Sequence, residues 1–198
     1  VHFISPFSNL TSEMIKMSAL PWHADIPIYK RHEYPIRCLW MINSPNSKNS
    51  GITGFLKVDE PSFQYFSQEQ LEILHSGQLL FQSWHRPGRE MQLLPMIKSH
   101  PVTRIKSLQF NHFASEQVKN PWILDTVFDG VSQNSCQFIA DCLRILLREP
   151  DLQYNHTWEN GDILVYDNYS FLHNRTALDF PSREERLIYR LNVDHYIT

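Results

Sequence analysis

The stretch "WENGDILVYDNYSFLHNRTALDF", Trp158 to Phe180, decides how this chain is expected to fold. "NGD" (Asn160–Asp162) is a turn signal. The run "ILVYD" (Ile163–Asp167) that follows is short and rich in β-formers, so it reads as a buried strand. "NYSFLH" then places His173 just past that strand, where a rigid sheet can present a side chain.

Working outward, segments of the same kind recur: "IRCLWMIN" (Ile36–Asn43), "ITGFLKV" (Ile52–Val58), "LLFQSW" (Leu79–Trp84), "SLQFNHF" (Ser107–Phe113) and "RLIYRLNVDHY" (Arg186–Tyr196). Clusters of Pro, Gly, Asn and Ser separate them, as they separate the strands of a sandwich or barrel. Two helices interrupt the pattern. In "FSQEQLEILHSG", Ser67 can cap, Gln70 stands at the capping-box position and Gly77 supplies a stop. In "SQNSCQFIADCLRILLREP", Phe138, Ile139, Cys142, Leu143 and Leu146 recur at three-four spacing, with Pro150 as the expected end. Many strands and few helices predict a mainly β chain with helical additions, a jelly-roll-like double sheet.

Composition narrows the function classes. Hydrophobic residues make up 42% and charged residues 20%, a globular balance. The net charge is −3 and no long Lys/Arg run appears, so no nucleic-acid partner is expected. No apolar run approaches the roughly 20 residues of a membrane span. The three cysteines, Cys38, Cys136 and Cys142, are odd in number and lack metal-type spacing, so they read as reduced thiols of a cytoplasmic protein. Nothing marks a domain boundary, and one domain over residues 1–198 is expected. The chain opens on "VHFISPFSNL", without Met or a signal-peptide pattern, so part of an N-terminal region is expected to be missing.

The chemistry starts at "LPWHADIPIY" (Leu20–Tyr29), where His23 stands two residues before Asp25. Alone, His-x-Asp fits two polar residues of an ordinary turn as well as two ligands. With His173 it makes two imidazoles and one carboxylate, the facial triad of non-haem Fe(II) oxygenases, which leaves coordination positions open for cosubstrate and O2. "SREERLIYRLNVD" adds Arg186, 13 residues after His173, and Arg190, four further on. Residues four apart on a strand share a face, and an Arg fork suits bidentate capture of a carboxylate. The competing reading of that pair is a solvated edge.

"WHAD", "GIT", "HPVT", "GDILVYDN…LHNR" and "RLIYR", in this order, resemble the taurine dioxygenase/clavaminate synthase family over Leu20 to Tyr196. The resemblance implies a double-stranded β-helix (jelly roll, cupin-like) forming one oxygenase domain. It implies Fe(II) held by His23, Asp25 and His173. It also implies 2-oxoglutarate as cosubstrate, with Thr53 and Arg186 holding it, and Arg190 as a second arginine that touches the primary substrate in some members. The expected reaction is hydroxylation or desaturation of a small, amino-acid-derived metabolite of secondary metabolism, with succinate and CO2 as co-products. Because Asp25 is present, halogenation is disfavoured. "NSGIT" carries one glycine where the family has two. The residues leave two other classes open: a metal- or ligand-binding jelly roll without turnover, and hydrolytic zinc chemistry, in which the arginine pair has no natural role.

Trp22, Tyr29, Trp84, His85 and Arg86 are candidate pocket residues by chemistry, and Phe81–Glu90 is a candidate lid because Pro87-Gly88 breaks regular structure. His75, His100, His112 and His195 read as structural or exposed. The sequence carries no sign of oligomeric state.

Overall fold

The computed structural model describes residues 20–25, 36–45, 51–82, 91–109, 123–127, 135–177 and 186–193. Its strands are β1 (Leu20–His23), β2 (Ile36–Asn43), β3 (Ile52–Lys57), β4 (Gln78–Gln82), β5 (Met91–Pro95), β6 (Ile97–Ser99), β7 (Lys106–Leu108), β8 (Ile123–Val127), β9 (Gln153–Thr157), β10 (Ile163–Asp167), β11 (Phe171–Arg175) and β12 (Leu187–Val193). The helices are α1 (Gln68–Ser76) and α2 (Ser135–Leu146). Every strand pairing among the described residues is antiparallel. The expected mainly β class and double sheet are therefore present.

Two sheets make the sandwich. The first has the order β1-β11-β3-β9 and the second β10-β2-β12. Period-two alternation gives each sheet two chemically different faces. On the first sheet, His23, His173, Phe55 and Tyr154 form one cross-strand row, with Arg175, Thr53 and His156 in the next. The facing rows of the second sheet are Tyr166, Arg37 and Asn192, then Leu164, Leu39 and Arg190. Tyr166 crosses between the sheets, its ring centroid 4.9 Å from Phe55 and 5.1 Å from His173. The interior is thus polar around the histidines. The apolar core lies on the other side of the first sheet, where Ala24, Leu56, Val58 and Leu172 meet Leu74 of α1 and Ile139, Cys142, Leu143 and Leu146 of α2.

Local signals account for the helices. Ser67 accepts from the Gln70 N–H at 3.2 Å, and the Gln70 side chain accepts from the Ser67 N–H at 2.9 Å, completing the capping box. The three-four apolar spacing of α2 becomes its buried stripe. Pro150 does not end this helix, contrary to the sequence expectation. The helix stops at Leu146 and tightens through Arg148 N–H to Ile145 O and Glu149 N–H to Leu146 O. These shorter-range bonds occupy the last carbonyls, and Pro150 opens a separate 3-10 turn.

"ILVYD" is a strand but not a buried one. Ile163 is 64% exposed and Val165 61%, while Tyr166 is buried. β10 is an edge strand, and the helical core covers the first sheet rather than the outer face of the second. An apolar run thus fixed the strand but said nothing of what covers its outer side. Strands β1, β5, β6, β8, β9 and β11 fell outside the sequence expectation, and His173, expected just past β10, lies within β11.

Gly54 sits where three side chains converge. A Cβ built there would fall well inside contact distance of Asn174 Oδ1 and 3.0 Å from both Asn155 Oδ1 and the Trp22 ring. The Gly54 N–H also donates to Asn174 Oδ1 at 3.0 Å, so Asn174 cannot swing away without losing that bond. Gly54→Ala is expected to lower unfolding stability by about 1–3 kcal/mol through overpacking. Urea denaturation checks this, and a change below about 0.5 kcal/mol would show that the strand row has slack.

Candidate active site

The antiparallel pairing of β1 with β11 sets His23 opposite His173, their ring centroids 4.1 Å apart. Asp25 lies just past the end of β1. His23, Asp25 and His173 each offer a ligand atom, and these atoms lie within 4.8 Å of one another. The structure therefore brings together three residues separated by up to 150 positions in sequence (173 − 23).

Asp25 is held on both its main chain and its carboxylate. Its N–H donates to Asn168 Oδ1 at 3.0 Å, and its carbonyl accepts from Asn168 Nδ2 at 2.8 Å. Arg37 Nε lies 3.3 Å from Asp25 Oδ2. Arg190 Nη1 lies 3.3 Å from Oδ1 and 3.2 Å from Oδ2. Burial alone would raise the Asp25 carboxyl, but its electrostatic interactions with His173, Arg190, His23 and Arg37 hold it well below the usual carboxylate range. Burial, and then the neighbouring His23, push His173 down to about 3. At neutral pH that ring is neutral, while the guanidiniums of Arg190 and Arg37 stay charged beside Asp25. His173 Nδ1 is buried and has no hydrogen-bond partner among the described residues, while Nε2 stands 3.5 Å from the Tyr166 hydroxyl.

Thr53 is buried on the same interior face, and its hydroxyl accepts from Trp158 Nε1 at 2.8 Å. Arg175 is its cross-strand neighbour. Arg186 precedes β12, and its buried Nε has no hydrogen-bond partner among the described residues. Burial, and then the Arg175 charge, push Arg186 down to about 10, so it stays cationic at neutral pH. Among the described residues, no carboxylate offsets this shift. Such a buried cation suits an anionic ligand. Arg190 sits on the Asp25 carboxylate. A register shift between Leu187 and Ile188 lies between the two arginines, so simple alternation does not relate their faces.

Trp22 does not line this interior; it packs against the apolar core on the opposite face of the first sheet. Tyr29, Trp84, His85, Arg86, His112 and His195 lie outside the described residues, as does most of the candidate lid. His75 is exposed, and His100 is structural. The His100 Nδ1 accepts from the N–H groups of Val102 and Thr103 at 3.2 and 3.0 Å, which leaves Nε2 to donate to Asp167 Oδ2 at 2.9 Å. "HPVT" thus braces the turn after β10. Cys142 is buried and unbridged, its thiol pushed up to about 12 by burial and then by Asp141.

Sequence reasoning missed Arg37, Asn168 and Tyr166. Arg37 left a signal, as the one charged residue in the apolar run "IRCLWMIN". Asn168 left none beyond its place after a strand.

Comparison with known proteins bears on the family and the fold. The sequence profile of the family described as "Taurine catabolism dioxygenase TauD, TfdA family" matches residues 63–192, which take in His173, Arg186 and Arg190 but not His23 or Asp25. Tyrosine isonitrile desaturase of Pseudomonas aeruginosa is 25% identical over 157 residues, covering 77% of this chain and 52% of that protein. The crystal structure of PvcB from Pseudomonas aeruginosa superposes with a TM-score of 0.67 at 20% identity, over 92% of this chain and 60% of that one. A taurine dioxygenase from Burkholderia xenovorans superposes with a TM-score of 0.60 at 16% identity, over 87% and 56%. These likenesses establish the jelly-roll fold. The chain spans about half the length of the first of these relatives.

Proposed function

Because the chain belongs to the TauD/TfdA dioxygenase family, we propose that it is an Fe(II)- and 2-oxoglutarate-dependent oxygenase, with His23, Asp25 and His173 as the iron ligands. The observation that carries this reading is the convergence of those three ligand atoms within 4.8 Å of one another. The residues fit the metal: His173 is neutral, its buried Nδ1 is unpartnered among the described residues, and Asp25 is ionised. Two imidazoles and one carboxylate leave positions open, as a reaction with O2 requires.

Bound iron and 2-oxoglutarate supply the oxidising power, coupling O2 reduction to release of succinate and CO2 and to oxidation of a substrate C–H bond. The chain's own residues orient and enclose. Arg186 takes the distal carboxylate of the cosubstrate, with the Thr53 hydroxyl beside it, fixed by Trp158. Arg37 and Arg190 keep the Asp25 carboxylate ionised and oriented. Phe55 and Tyr166 wall the histidines and exclude water.

The substrate is a small amino-acid-derived metabolite. The likeness to tyrosine isonitrile desaturase, and to PvcB, an Fe, alpha-ketoglutarate dependent oxygenase from an isonitrile synthetic pathway, supports this class and favours desaturation over hydroxylation. The test is succinate release from 2-oxoglutarate in the presence of Fe(II) and O2, across a panel of amino acids and their isonitriles. Release stimulated by one panel member is the expected result. Metal binding without succinate under every condition would leave a non-catalytic metal-binding jelly roll.

A further inference from the structure

Asp25 stands beyond the last ladder pair of β1, His23 opposite His173. A residue in that position has no strand neighbour to take up its main-chain N–H and C=O, and buried groups of this kind must find partners. The Asn168 side chain meets both, accepting at 3.0 Å and donating at 2.8 Å. An amide is the side chain suited to this, since it offers a donor and an acceptor in the spacing of a backbone peptide. The partners also fix its orientation: the Asp25 N–H can only donate, and its carbonyl can only accept.

Asn168 is 3% exposed, and the turn that carries it is braced through its neighbour Asp167. That turn lies between β10 and β11. There Asp167 accepts from the Tyr169 N–H at 2.7 Å and the Ser170 hydroxyl at 3.1 Å, and also meets His100 at 2.9 Å. His173 is on the strand that leaves this turn. Two positions of the triad therefore refer to one hairpin, His173 directly and Asp25 through the amide.

From this geometry we infer that Asn168 is a positioning residue for the metal site, acting as a surrogate strand neighbour that sets Asp25 against His23 and His173. The inference rests on the reading of these three residues as metal ligands. Residues that orient a ligand from behind affect metal affinity by roughly 10- to 100-fold. Asn168 touches neither metal nor substrate, so its effect must appear in the ligand field as well as in the rate.

The experiment titrates Co(II) into the full metal-free chain and follows the visible ligand-field absorption, with circular dichroism as the check on folding. Asn168→Ala is expected to weaken Co(II) binding by about 10- to 100-fold and to change the spectral envelope. Affinity within twofold of the parent, with an unchanged spectrum, overturns the inference. Asn168→Asp covers the case in which the alanine variant does not fold. It keeps the shape and the acceptor but loses the donor. Its added negative charge would by itself tighten cation binding, so weaker binding supports the inference and equal or tighter binding defeats it. Asp25→Ala separates the two levels. If that variant binds Co(II) as the parent does, the ligand assignment falls and the inference with it. If it loses Co(II) while both Asn168 variants keep it, the inference alone falls.

Discussion

Asp25→Ala is expected to lose Fe(II)-dependent succinate formation completely, and to be less stable as well. Two causes add. The substitution removes the anionic member of the triad, leaving two imidazoles to hold a dication. It also removes the carboxylate that Arg37 and Arg190 face at 3.2–3.3 Å. Arg37 is only 5% exposed, so the loss leaves buried positive charge uncompensated. Breaking a buried ion pair from one side costs about 3–5 kcal/mol. Asp25→Asn keeps the shape and the Asn168 bonds to the main chain, and separates these effects. Its stability should fall less, while its metal affinity still drops. Succinate release and Co(II) binding are the measurements, alongside thermal unfolding. Full activity in either variant would sink the assignment of Asp25 as a ligand.

The second large effect belongs to Arg186. Its Nε is buried without a hydrogen-bond partner, and no carboxylate pairs with the guanidinium, among the described residues. If the distal carboxylate of 2-oxoglutarate is that missing partner, Arg186→Ala strands a buried carboxylate in the complex. The expected loss of cosubstrate affinity is about 2–4 kcal/mol, or roughly 30- to 900-fold. The rate at saturating 2-oxoglutarate should recover much more than the affinity does, because Arg186 is proposed to bind the cosubstrate and not to touch the reacting carbon. Arg186→Lys should recover only part of the affinity, since an ammonium lacks the planar fork. An unchanged 2-oxoglutarate affinity in the alanine variant would show that this arginine serves the fold instead. That result would leave the iron site untouched, so the two predictions fail independently.

Much of this was legible in the sequence because it is local. A capping box needs only Ser67 and Gln70, and both hydrogen bonds form. The apolar stripe of α2 needs only its own spacing. The ligand candidates were legible as residue types in order: His23, Asp25, His173. Boundaries set by longer-range contacts were not. Pro150 looked like the end of α2, yet the helix closes earlier, where its last carbonyls find shorter partners. Trp22 looked like a pocket residue because it adjoins His23. In the fold it packs instead against the apolar core on the other side of the first sheet.

The sequence by itself determined the mainly β class, the two helices and about half of the strands, and it offered the candidate ligand residue types, since those depend on residue type and spacing along one stretch of chain. Only the tertiary structure decided what each of those side chains faces. Strand register sets His23 against His173, and a turn 143 residues away supplies the amide that holds Asp25. The facing sheet supplies Arg37 and Arg190 to its carboxylate. The same register leaves Ile163 and Val165 outside, although their stretch reads as core. Hydrophobicity and charge are properties of a residue. Burial and field belong to the packing of two sheets, and no single segment carries both halves of that contact.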